Sequence, residues 1–271
     1  WKYVLPPPLP SHYLSSLQMQ HTMAEPLRAG PAPSPTSKLS GSAIAFHALA
    51  AATCVSFLVT LAIIAFRVPT EASMGAVQKI FYFHVPAAYS MYLGAAVCFI
   101  GSAGFLARGT RRWDAIAKAG AEIAVVMGFM VLISGPLWAM KAWGVAWTWD
   151  PRLTTSMLSV LIYVAYVLMR VFTGDGDAER KFAAALGVLG AANLPIIHYS
   201  VQKWGGNHPK VITNGGGGLQ HPDMKLALAL GFLSFTLLAI TLVWLRTKME
   251  LSASRLAELE QEALEEGIGG D

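Results

Sequence analysis

The chain has 271 residues, of which 54% are hydrophobic and only 13% charged, with a mean hydropathy of +0.48. A soluble domain carries about 25% charged residues, so the composition excludes one and implies an integral membrane protein with a single domain of several helices. The net charge is +4, with basic residues scattered through short loops rather than gathered in a stripe, which sets nucleic acid aside and points to charge that orients membrane spans.

Residues 1–40 are polar and proline-rich, with Pro6, Pro7 and Pro8 followed by Pro31, Pro33 and Pro35. No apolar run there is long enough for a signal sequence. The expectation is a disordered tail, with Met23 a plausible start in a chain that opens on Trp1. Six apolar runs follow, each near the roughly 20 residues that a helix needs to cross the hydrocarbon core. They lie at about Ala43–Phe66, Val85–Ala107, Ile116–Met140, Thr154–Phe172, Phe182–Tyr199 and Leu226–Leu245. The predicted fold is therefore an all-α integral membrane protein, a bundle of six transmembrane helices over residues 41–248. From Glu250 onward an acidic tail, 249–271, spaces Leu251, Leu256, Leu259 and Leu264 helically.

Loop charge gives the orientation. Arg108, Arg111, Arg112 and Lys118 crowd the second loop, Arg170, Arg180 and Lys181 the fourth, and Arg246, Lys248 and Arg255 the end. Both termini are expected in the cytoplasm, with the first, third and fifth loops outside. Glu122, inside the third run, is a costly intramembrane charge, for which Lys118 four residues earlier is the expected partner. Cys54 and Cys98 stand singly and form neither C-x-x-C nor C-x-x-C-H, so no redox pair and no thiol attachment site is present. The glycines at 215–218 lack the lysine and context of a phosphate loop.

The third loop, on the outer side, is the densest feature. Trp138, Trp143, Trp147 and Trp149, four of the chain's 8 tryptophans, fall between Leu137 and Thr155 with Asp150-Pro151-Arg152 attached. An aromatic belt at the membrane interface explains such a cluster; so does a docking surface for a flat conjugated ligand. If the stretch is helical, Trp143 and Trp147 share a face and Pro151 ends the helix near Asp150.

The order of residues adds to this. Trp143-Gly144-x-x-Trp147-x-Trp149-Asp150-x-Arg152-Leu153-Thr154 resembles the tryptophan-rich WWD signature of haem-handling membrane proteins, most closely the CcmC family of cytochrome c maturation. Tyr82-Phe83-His84-Val85-Pro86 and Asn193-Leu194-Pro195-Ile196-Ile197-His198 are similar to the segments that carry that family's two histidines. The resemblance runs from about Arg67 to Leu245 and breaks from the family's pattern after His198, at 204–209 and 214–218. It implies haem b, held non-covalently and transiently, with His84 and His198 on its iron. The implied site is completed by Trp143, Trp147, Trp149, Asp150 and Arg152. The implied partners are a CcmE-type haem chaperone and an ATP-binding cassette complex of the CcmAB type with a small CcmD-type subunit, in the bacterial inner membrane.

The residues themselves are compatible with that chemistry. Neutral imidazole is a good ligand for haem iron, and topology puts His84, before the second helix, and His198, at the end of the fifth, on the outer face with the tryptophans. His47 lies on the wrong face. His208 and His221 precede prolines in a glycine-rich loop and would hold iron less rigidly; His208 is the first substitute. Arg152 is the cation nearest the site's edge, ahead of Lys141 and Lys203, although a snorkelling anchor explains it equally. Asp150 is expected to cap the fourth helix or pair with Arg152 rather than meet a propionate. No catalytic nucleophile is evident, so a carrier is expected rather than an enzyme. The alternatives are a haem lyase, whose relatives are larger and richer in histidine, a b-type cytochrome, which would need ligands in both leaflets, and an export channel, for which no polar stripe is seen.

Overall fold

The computed structural model describes residues 40–174, 176–209 and 218–266. The expected disordered tail lies outside them. The chain divides into two units, Trp1–Ile44 and Ala45–Asp271; of the first, the described part is Ser40 and the opening turn of a helix. The helices are α1 (Gly41–Phe66), α2 (Phe81–Arg108), preceded by a 3₁₀ turn at Ala76–Ile80, α3 (Arg111–Trp143), α4 (Pro151–Phe172), α5 (Asp177–Trp204) and α6 (Pro222–Glu265). All six are long and apolar enough to cross a membrane, and among the described residues no strand is formed. The chain is a multi-pass, all-α bundle, as its hydropathy predicts.

Each helix outruns its apolar stretch, because polar residues at helix ends keep good backbone geometry once outside the hydrocarbon. His84 consequently sits within the first turn of α2 rather than before it, and His198 lies more than a turn inside the end of α5. Helix α6 continues past residue 249 without a break.

Packing between helices uses small residues and hydroxyls, as expected where lipid gives apolar surfaces no reason to associate. Helices α2 and α3 approach so closely that a Cβ on Gly94 would lie 2.6 Å from the Ala124 amide nitrogen. Helix α1, free of Lys, Arg, Asp and Glu, meets α6 through paired hydroxyls: Thr53 with Thr241 at 3.0 Å, and Ser56 and Thr60 with Ser234 at 2.7 and 2.9 Å.

At the end where α3 begins and α4 finishes, charges are paired between helices. Asp114 of α3 accepts from Arg170 of α4 at 2.9 Å, with Arg180 of α5 at 3.5 Å. The expected Lys118–Glu122 pair is not formed. Glu122 instead receives Arg246 of α6, Nη2 to Oε1 at 2.6 Å, while Lys118 reaches Glu250 at 2.8 Å. Both side chains point across the α3–α6 interface, and a partner on the facing helix satisfies a half-buried charge more fully than one a turn away on the same exposed strip.

Candidate functional site

At the opposite end a cavity of about 700 Å³ opens between α2, α3, α4, α5 and the start of α6, within the size range of small-molecule and cofactor sites. Its walls are largely apolar, with Phe81, Tyr92, Leu132, Trp138, Leu153, Ile197 and Phe232 contributing from five helices. His84, His198, Trp143, Trp147 and Arg152 all line it. Five of the seven residues singled out from sequence are thus brought to one space.

His84 enters from α2 and its Nδ1 lies 2.8 Å from the Ser134 hydroxyl of α3. That hydroxyl donates its one proton to the Met130 carbonyl at 2.6 Å. The imidazole must therefore be the donor at Nδ1, which leaves the lone pair on Nε2, the form in which a histidine ligates a metal. Gly135 allows the ring to lie against α3, since a Cβ there would stand 3.3 Å from His84 Cε1. His198 is exposed at the rim, its ring edge-on to Tyr199 with centroids 4.9 Å apart.

The tryptophans do not share one helical face. Helix α3 ends at Trp143 because Gly144 takes φ +75° and its amide closes on the Met140 carbonyl, a left-handed cap that favours glycine. Trp147 therefore reaches the cavity from a non-helical loop, packed edge-on to Trp149 at 5.9 Å, while Trp138 and Trp143 meet edge-on at 5.7 Å. Trp149 does not line the cavity; it is 74% exposed and buttresses Trp147 from outside.

Asp150 does not line the cavity either. It caps α4, accepting from the Arg152 amide at 2.8 Å, with Pro151 at the first helical position, where a missing N–H costs nothing. Arg152 is the cation of the site. Its Nη2 donates to the His198 carbonyl at 3.0 Å, Nη1 lies 3.4 Å from His208 Nδ1, and Nε is buried without a hydrogen-bond partner among the described residues. It forms no ion pair within 4 Å among the described residues, so at the edge of the cavity its guanidinium charge is not directly paired with a carboxylate. Lys141 and Lys203 are not part of the lining.

His208 lines the cavity as well, with a greater part than a glycine-rich loop suggests. Burial, then the neighbouring guanidinium, hold its imidazole below the ordinary histidine value, against the opposing pull of the Pro209 carbonyl and Asp150. His221 instead caps α6, accepting from the Asp223 amide at 3.2 Å. Ser134 and Tyr92 carry no sequence signal of their own and become visible only through the helices that face them.

Three imidazoles, aromatic walls and one guanidinium line this apolar, cofactor-sized cavity at one end of a bundle of membrane-spanning helices, which makes the chain a multi-pass membrane protein with a candidate ligand site. The family model described as Heme exporter protein C matches residues 30–262, and the chain belongs to that family. It is 33% identical over 227 residues to Heme exporter protein C of Bradyrhizobium diazoefficiens, covering 83% of this chain and 86% of that one. To Heme exporter protein C of Escherichia coli K12 it is 32% identical over 184 residues, 66% of this chain and 73% of the relative. To that of Paracoccus denitrificans it is 29% identical over 224 residues, 82% and 92% respectively. The match extends the resemblance beyond Arg67–Leu245 in both directions.

Proposed function

We propose that the chain is a haem carrier of cytochrome c maturation, holding haem b as cargo in this cavity and presenting it to an acceptor at the same membrane face. The observation that carries the reading is the convergence of His84, His198, Trp143, Trp147 and Arg152 on one apolar space. His84 Nε2 and the His198 ring would hold the iron from two sides and leave it six-coordinate. The indoles would lie along the macrocycle, and Arg152 would take a propionate as a direct partner for its guanidinium. Trp149 and Asp150 support this site from behind rather than touching the ligand.

A carrier must release what it binds, and a rim histidine beside an exposed loop suits transfer to a partner. The acceptor we infer is a haem chaperone of the CcmE type, working with an ATP-binding cassette complex of the CcmAB type and a small CcmD-type subunit. The carrier function resides in residues 41–248, with 1–40 and 249–271 as tails. The membrane is the bacterial inner membrane, with both termini cytoplasmic and the cavity periplasmic; the Lys and Arg residues at the α3 start, the α4–α5 connection and the α6 end support that orientation. A reporter fused after Gly144 is expected outside and one after Gly174 inside; reversed labelling would end the delivery reading.

The direct test is the absorption spectrum of the detergent-purified protein, expressed with and without a chaperone partner. A low-spin haem b spectrum that decays as the chaperone loads is expected. A protein that takes up no haem under either condition would refute the proposal.

A further inference from the structure

The aspartate of the tryptophan-rich motif turns its back on the cavity, and what it holds is a second loop. Its side chain is buried. One carboxylate oxygen takes the Arg152 amide; the other accepts from the Asn207 amide at 2.6 Å and lies 3.4 Å from the His208 amide. Gly205 and Gly206 lead into this turn with φ of 73° and 144°, and a Cβ on Gly206 would strike the carboxylate. Backbone at those angles is open to glycine and strained for other residues, so the turn is shaped around the anion. The result is that His208, far along the chain, is delivered beside Arg152 on the cavity wall.

We propose that His208 is a further binding residue of the cavity, receiving together with Arg152 a carboxylate at the edge of the bound porphyrin, and that Asp150 is the positioning residue that puts it there. The inference rests on the reading of the cavity as a haem site and deepens it. A guanidinium offers only donors, so in the tautomer whose Nδ1 accepts from Arg152 the ring proton of His208 is on Nε2, available to a carboxylate. The Pro209 carbonyl lies 3.2 Å from Nδ1 and would draw the proton in the other tautomer; an anion at Nε2 selects against that form. Arg152 then contributes charge and a guanidinium donor, His208 a second donor, and two donors at one edge fix the rotation of a disc that its apolar walls leave free.

The experiment compares ferric haem b with its dimethyl ester, which keeps the iron and macrocycle but cannot present a carboxylate, by titrating each into purified parent, His208→Ala, His208→Gln and Asp150→Asn. One hydrogen bond to a charged group is worth about tenfold in affinity. The parent is expected to prefer the free acid by about a hundredfold, and His208→Ala by about tenfold, with the low-spin spectrum kept. His208→Gln, which retains an N–H donor at that reach, should recover most of the preference. Asp150→Asn, which replaces an acceptor of two amides by a donor, should move the ratio in the same direction as His208→Ala. An unchanged ratio in His208→Ala overturns the inference, as does equal weakening toward both porphyrins, which marks a structural role. Loss of the low-spin spectrum in His208→Ala overturns it too, making this residue an iron ligand. A parent that binds neither porphyrin refutes the underlying haem reading, and the inference with it.

Discussion

The end of the bundle where α3 begins and the cavity at the other end treat charge in opposite ways. Where α3 begins, carboxylates of that helix are matched with cations from α4, α5 and α6: Asp114 with Arg170 and Arg180, and Glu122 with Arg246, while Lys118 of the same helix meets Glu250. Where α3 finishes, Arg67 at the end of α1 pairs with Asp223 of α6 at 2.9 Å, but the cavity beside them is lined by imidazoles, hydroxyls, the Gln202 amide and one guanidinium, and among the described residues Arg152 forms no ion pair. Charge paired across helices ties a bundle together and leaves nothing for a ligand. Charge left without its counter-ion, beside aromatic walls, is an edge that waits for an anion. On the proposed reading, the first cluster holds the helices together and the cavity holds cargo.

That contrast can be broken from either side. The largest stability effect is expected from Arg170→Ala, which leaves the buried Asp114 carboxylate short of its nearest cation. Breaking a buried pair costs about 3–5 kcal/mol, to be read as a fall in the thermal midpoint in detergent, while the haem spectrum of the folded fraction stays as in the parent. A variant that loses haem but keeps its midpoint would show that the ends are not separable in this way.

His84→Gly and His198→Gly should do the reverse. Each removes one ring from the cavity, so stability should change little while the low-spin spectrum gives way to a five-coordinate or water-ligated one. Added imidazole, able to fill the vacated space, should restore it in part. The His84 variant has a further signature: its ring is oriented by Ser134, so Ser134→Ala should weaken binding by less than His84→Gly and imidazole should not rescue it. Spectra that remain low-spin in both histidine variants would move the iron elsewhere in the cavity.

The smallest effect separates two adjacent tryptophans. Trp147 lines the cavity and Trp149 lies outside it, so Trp147→Ala should slow loading of the acceptor several-fold and Trp149→Ala less, both inserting normally with all six spans intact. Equal rates in both variants and the parent would return the cluster to an aromatic belt. A larger loss from Trp149 would instead make that exposed indole a contact for the acceptor.

Much of this architecture is legible without coordinates. The six spans follow from hydropathy because the hydrocarbon core demands about twenty apolar residues per crossing, and alternation of loops alone sends His84, His198 and the tryptophans to one end. Asp150 is readable as a cap, since an aspartate before a proline suits the first turn of a helix. The partner of Glu122 is not, because a side chain's neighbours along its own helix are visible in sequence whereas its neighbours across an interface depend on how two helices are rotated. The end of α3 at Trp143 turns on the left-handed conformation of Gly144, a choice made by a single residue within a run that otherwise suits a helix. His208 shows the limit most plainly. In sequence it is a histidine before a proline in a glycine-rich stretch; only the tertiary structure, by folding that stretch onto the Asp150 carboxylate, sets it against Arg152, since a contact between residues so far apart along the chain is decided by packing and leaves no periodic trace in the sequence.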